Sequence, residues 1–338
     1  MSLHFNKIFM LISITLLAAC GGGGGGGISS GSADGSNVQF PNTPLVLTSA
    51  NYEPVSQAVV GSMNGLIDLS SSSSSLLTGV ALEIPPAWMP ALLSQVKNIK
   101  TWSLDNTAVL SGVAISLSES CAYGGSVNVS GNDINNNEEL DAGDSISISF
   151  SNCAISRTER VSGSLTVVVN SITDGFYLAA DISLSLNNFS VVSGSTSASA
   201  AGDMRLRIQE SSTNTAYAIS SNSIRSSTSF SGVTRNTSMT GVSMTLNESN
   251  SGNDQLTFAA TLAMPSFANQ FVVLTTTSPW LMRNGATYPY AGQMLIAGEA
   301  GSKIRISAVS SSNVRLELDA TGDGAYEESK VVTWSSLQ

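Results

Sequence analysis

Imidazole is almost missing from this chain. The one histidine among 338 residues is His4, so Ser–His–Asp triads, Cys–His nucleophiles, His-ligated haem and imidazole general bases are excluded through the body of the sequence. Thiols are nearly as scarce, three in all at Cys20, Cys121 and Cys153, and no CxxC spacing points to zinc or to a redox pair. Charge is thin as well: Asp, Glu, Lys and Arg make up 11 % of residues, under half the usual quarter. What charge there is leans acidic, 24 against 14 for a net −10, which repels phosphate backbones and rules out a nucleic-acid partner. Aromatic residues at 6 % are too few for the two girdles of a transmembrane barrel. Present instead are 42 % hydrophobic residues, enough to bury a core, and a hydroxyl bias in which roughly one residue in six is Ser.

The apolar run from Ile8 to Ala19 follows Lys7 and is too short to span a bilayer comfortably, so residues 1–19 read as a signal peptide. It ends Leu17-Ala18-Ala19-Cys20, which resembles the lipobox of bacterial lipoproteins at each of its four positions. That resemblance implies transfer of diacylglycerol to the Cys20 thiol, cleavage before it and N-acylation by a chain such as palmitate. Three acyl chains, at roughly 0.8 kcal/mol per buried methylene, would hold the protein on a membrane almost permanently. Gly21, where Asp tends to retain lipoproteins in the inner membrane, implies the outer one. Loss of the leader removes Lys7 and His4, leaving 13 of the 14 basic residues and no imidazole. Residues 20–37 run through seven glycines into a Gly/Ser stretch that cannot pack and acts as a flexible tether. The leash resembles those of surface lipoproteins of Gram-negative bacteria, implying a body held off the membrane. A phosphate-cradling loop is excluded, because no strand precedes the glycines and no Lys or helix follows.

Residues 38–104 form a partly helical prelude. Ser49-Ala50-Asn51 offers a cap, Pro54 is tolerable in a first turn, and Val55, Ala58, Val59, Met63 and Ile67 recur at helical spacing. A second short helix is expected from Pro86 to Lys97. From residue 105 to 338 a period of two takes over, with Ser145–Phe150, Leu165–Val169, Ile182–Leu186, Met204–Ile208, Val242–Leu246, Lys303–Ile306, Val314–Leu318 and Val331–Thr333 separated by Gly, Asn, Ser and Asp turns. The expected fold is mainly β: an antiparallel meander, as an open barrel or sandwich, with one or two short N-terminal helices packed on it. Residues 279–338 are set off as a semi-autonomous C-terminal segment of four strands. Their last sixty positions resemble the C-terminal part of proteobacterial lipoproteins, a likeness that brings no activity with it.

Chemistry is nominated in few places. Cys121 and Cys153, the two thiols left once Cys20 is acylated, are expected to form one disulfide whose loop of about 33 residues would contribute roughly 3 to 4 kcal/mol. Inside that loop Asp133, Asn135, Asn137, Asp141 and Asp144 fall at positions 1, 3, 5, 9 and 12 of a Ca²⁺-type oxygen ladder. The resemblance to an EF-hand is partial, since Glu138 stands at the glycine position and the flanks read as strands. The plain alternative is an Asn-rich hairpin turn. Asp319, Thr321, Asp323 and Glu327 form a second, weaker set, with Gly324 at position 6 but Lys330 at position 12. A hairpin between Leu316–Leu318 and Val331–Val332 explains those residues equally. Catalysis would have to rest on paired carboxylates or on a Ser–Lys dyad, and neither is singled out. Trp88, Trp102, Trp280 and Trp334 suit core positions better than a sugar platform. The expected function is therefore non-catalytic: an outer-membrane or surface lipoprotein acting as an envelope binding module for a protein or glycan, with Ca²⁺ the one cofactor suggested. A carrier sheltering an apolar molecule in a curved sheet is the first alternative, and a carboxylate-based hydrolase the second.

Overall fold

The computed structural model describes residues 40–67, 115–135, 141–154, 156–174, 176–230, 233–249, 252–283 and 286–337. Cys20, the tether and the second expected helix lie outside them. Helix α1 (Tyr52–Ile67) begins where Asn51 places its carbonyl to accept the Val55 N–H, and Pro54 sits in the first turn, where no N–H is needed. The Asn51 side chain serves the segment before the helix instead, accepting from Thr48 N at 2.8 Å and donating to the Val46 carbonyl.

Among the described residues fourteen strands follow in one antiparallel sheet whose spatial order equals the chain order. They are β1 (Ile115–Ser120), β2 (Ser126–Asn132), β3 (Ser145–Ala154), β4 (Glu159–Asp174), β5 (Leu178–Ser193), β6 (Thr196–Glu210), β7 (Asn214–Phe230), β8 (Val233–Ser249), β9 (Asn253–Ala263), β10 (Phe271–Arg283), β11 (Ala291–Ala297), β12 (Lys303–Ala308), β13 (Asn313–Asp319) and β14 (Glu328–Thr333). The sheet is not closed: β1 and β14 are its two edges. Alternation assigns the faces. In β5, Leu178, Ala180, Ile182, Leu184 and Leu186 are all buried, while Asp181, Ser183 and Ser185 point the other way. The same apolar face continues through Leu206, Met244, Leu256, Leu274, Ile296, Ile304 and Leu316, and with Val55 and Val59 of α1 it makes one contiguous core. Pro279 lies inside β10, at register breaks on either side of Ser278, where its missing N–H costs no ladder bond. The C-terminal segment expected from that residue thus begins within a strand of the common sheet.

Strands of 15 to 17 residues cannot stay straight over a twisted sheet, and a contiguous row of irregularities bends them. Register shifts fall between Phe150 and Cys153, Ser162 and Ser164, Leu186 and Phe189, Asp203 and Arg205, and Thr240 and Ser243. Left-handed backbone accompanies them at Asn152, Gly163, Asn188, Gly202 and Gly241. At Gly163 the constraint is severe, because a Cβ there would stand 2.1 Å from the Asn188 carbonyl oxygen.

The N-terminal segment is stitched to the far end of the sheet. Pro44 bridges Phe271, Leu45 N donates to the Phe271 carbonyl, Phe271 N to Thr43, and Glu299 N to Leu45. Leu47 is fully buried. Helix α1 then lies over β12, β13 and the short turn Trp334–Leu337, with Lys330 Nζ 2.7 Å from Glu53 Oε1. No helix among the described residues is long and apolar enough to cross a membrane.

Candidate functional site

Cys121 and Cys153 are joined, with Cα atoms 5.4 Å apart. The turn after β1 folds back on the end of β3, Tyr123 N donating to the Ala154 carbonyl and Ala154 N to Gly124, which brings the two sulfurs together across an intervening strand. Val127, Phe150 and Val161 bury the bridge in a second small core, with Phe189 edge-on to Phe150.

Of the oxygen ladder inside the bridge, Asp133, Asn135, Asp141 and Asp144 are described and Asn137 is not. Asp144 is buried, and its two carboxylate oxygens accept from Ile134 N at 2.9 Å and Asp141 N at 2.7 Å. Asn135 Nδ2 donates to Asp141 at 2.6 Å. Asp144 thus ties both ends of the loop together through backbone donors, the work of a turn-stabilising Asx residue.

The second loop, between β13 and β14, brings Asp319, Asp323 and Glu327 together with their oxygens within 4.8 Å of one another. Among the described residues no other such acidic triad occurs. Each of the three already holds partners within the protein. Asp319 accepts from Gly322 N and Gly324 N and holds Lys303 Nζ at 3.0 Å, Asp323 accepts from Ala325 N, and Glu327 accepts from Ala320 N and the Thr321 hydroxyl. Burial pushes the Asp319 carboxyl up, but Lys303 and the two glycine N–H groups outweigh it and hold it below the ordinary range. Ca²⁺ asks for six to eight oxygens, and here the Lys303 ammonium already occupies Asp319 Oδ2 at 3.0 Å. The donor set suits a self-satisfied turn better than the ion.

A third place went unmarked in the sequence. A groove of about 420 Å³ opens across β4–β7, lined by polar residues such as Ser183, Asp203 and Arg205 and by the apolar Val168, Leu184 and Met204. The register explains the assembly: Thr166 pairs with Ser185 and Ser185 with Asp203 in one cross-strand row, while Val168, Ser183, Arg205 and Ser220 form the next. β7 carries one extra residue opposite the interval from Asp203 to Arg205, and that bulge places Asn222 at the rim. Beside the groove, on the same face, Asp181 is a hub. It accepts Arg205 Nε at 2.7 Å and Nη2 at 2.6 Å, Arg207 Nε at 3.0 Å and Asn170 Nδ2 at 3.1 Å. The Arg205 guanidinium above all, against some burial, holds the Asp181 carboxyl down at about 2. Ser185 Oγ donates to Asp203 Oδ1 at 2.6 Å. The alternation Arg205-Leu206-Arg207 placed these charges on the outer face, but the register that sets Asp181 beside them is not written in any local pattern.

Compared with protein-family profiles, with curated proteins and with solved structures, the chain matches none.

Proposed function

We propose that this chain is a lipid-anchored, non-catalytic binding module of the bacterial outer membrane, held by acylated Cys20 and presenting the hydroxyl face of its sheet to a ligand. The observation that carries the reading is the division of labour between the two faces. The apolar one is consumed by packing, with Ile182, Leu206 and Met244 each at most 2 % exposed, whereas the other keeps a groove of about 420 Å³. A carrier would need an open apolar chamber where those side chains already meet. The lipobox and the glycine tether support the anchor.

The test is metabolic labelling of the full chain with radioactive palmitate in a Gram-negative host. Label on the mature protein and its recovery in outer-membrane fractions are expected. Both should vanish in Cys20→Ser, and equal labelling of that variant would end the reading.

A further inference from the structure

The hairpin tip between β4 and β5 carries Phe176, at 91 % exposure the most exposed large apolar side chain among the described residues. Tyr177 beside it is exposed as well, and the two rings meet edge-on with centroids 4.8 Å apart. Aromatic side chains are the commonest anchors of interfaces, and a stacked pair of them held out in water forgoes its burial unless a partner supplies it. The groove across β4–β7 is the converse feature. Leu184 and Met204, both buried, form its floor, and the half-buried Val168 stands in its wall. Its lining includes Ser221, whose Oγ is one of two buried side-chain polar atoms without a hydrogen-bond partner among the described residues. A cavity of about 150 Å³ holds a benzene ring, so 420 Å³ takes two rings. An occupant that is apolar and carries one hydroxyl suits these surroundings. Phe176 meets the first requirement, and the Tyr177 phenol brings the donor and acceptor that Ser221 lacks.

Charge and reach decide which copy supplies the rings. Asp203 and Arg205 in the lining, with Asp181 and Arg207 beside them, sum to zero. In a chain of net −10, that neutral patch repels least an acidic tip, where Glu210 accepts from Leu178 N. Ser183 in the groove lies seven residues along β5 from Phe176, roughly 23 Å at 3.3 Å per residue. Strands β4 and β5 are at once the stem of the tip and two strands of the groove, so no copy can fill its own groove.

We infer that the Phe176–Tyr177 tip of one copy inserts into the β4–β7 groove of a second copy. This rests on the reading of the chain as a binding module and names the partner of that same groove. Each copy offers one knob and one hole, so the contact is heterologous and repeats head to tail.

The experiment is sedimentation velocity of the purified full chain in density-matched detergent, joined to photo-cross-linking from Phe176→p-benzoylphenylalanine onto isotope-labelled chain. Concentration-dependent association is expected. Phe176→Ser should weaken it at least about thirtyfold, the factor for losing an aromatic anchor, and Ser220→Trp, which fills the groove from an exposed position, should do the same. Both substitutions are at exposed positions, and unchanged circular dichroism separates loss of the contact from loss of the fold. Mixed one to one, the two variants should form a heterodimer and nothing larger, because one keeps the groove and the other keeps the knob. Cross-links should land on the labelled peptides that hold Val168, Leu184 or Met204. No association up to about 0.2 mM, association indifferent to Phe176→Ser, no heterodimer on mixing, or cross-links that fall on detergent, elsewhere on the chain or, in a Gram-negative host, on a different protein would each overturn the inference. Palmitate labelling is scored separately, so loss of this contact leaves the anchor standing or falling on its own result.

Discussion

Asp181 shows how one side chain can organise a surface. Two guanidiniums and an amide converge on its carboxylate, and each is fixed by a backbone position on a different or alternate site of three neighbouring strands. An isolated exposed ion pair stabilises little, but a bidentate Arg within a network is the case where the contribution is measurable. Because the folded carboxyl titrates at about 2 and the unfolded one near 3.8, its contribution is fully present above about pH 4 and lost as pH falls toward 2. Thermal melts of Asp181→Asn against the parent should therefore differ most above pH 4 and converge by pH 2; curves that stay parallel across that window would show that the network carries no stability. The same sign holds for Asp319, whose carboxyl is also depressed, with Lys303 as its built-in counter-ion. At this scale the sequence was partly legible. It marked Asp319, Asp323 and Glu327 as a set, and they do meet, but the loop closes on its own N–H groups and on Lys303, the cross-strand partner of Asp319 on the preceding strand β12.

At the scale of elements, the strands were legible because one face had to be apolar. Ser145–Phe150, Ile182–Leu186, Val242–Leu246 and Val314–Leu318 all fall inside strands, and α1 covers the helical run that begins at Val55. Their lengths were not legible. A bulge slips the alternation by one residue, so β5 reads as a strand to Leu186 and then as noise, although it continues to Ser193. The crease itself leaves a local trace, Gly or Asn at each bend, which is indistinguishable in sequence from a turn. Two substitutions separate its parts. Gly163→Ala, at φ 91° with a carbonyl oxygen in the way, should cost about 2 kcal/mol or more in urea unfolding. Gly241→Asn, at φ 59° with nothing within 4 Å of the new Cβ, should change stability by under about 1 kcal/mol. Equal costs at the two sites would mean that the crease is held by something other than close backbone approach.

For the molecule as a whole, chain order equals strand order, so among the described residues every strand pairs with its sequence neighbours, and the one bridge outside that ladder comes from the N-terminal segment. Thr43–Leu47 and α1 are the exception, linking the beginning of the described chain to β10–β14. Leu47 is the stud of that connection, fully buried with its N–H on the Ser302 hydroxyl. Leu47→Ala should lower stability by about 3 kcal/mol, and hydrogen exchange should show faster opening first in β11–β13 and not in β4–β7. Acceleration spread evenly over the sheet would argue for a single cooperative unit.

The same connection sets a path for force. Tension drawn along the chain from residue 40 reaches the backbone bonds of Thr43 and Leu45 to Phe271 and of Leu45 to Glu299 together, so they share the load and do not unzip one by one. The pull is absorbed in the strands from β10 onward. β7, the nearest wall of the groove, stands three strand spacings from β10, about 14 Å, outside the stretch of sheet that those bonds hold.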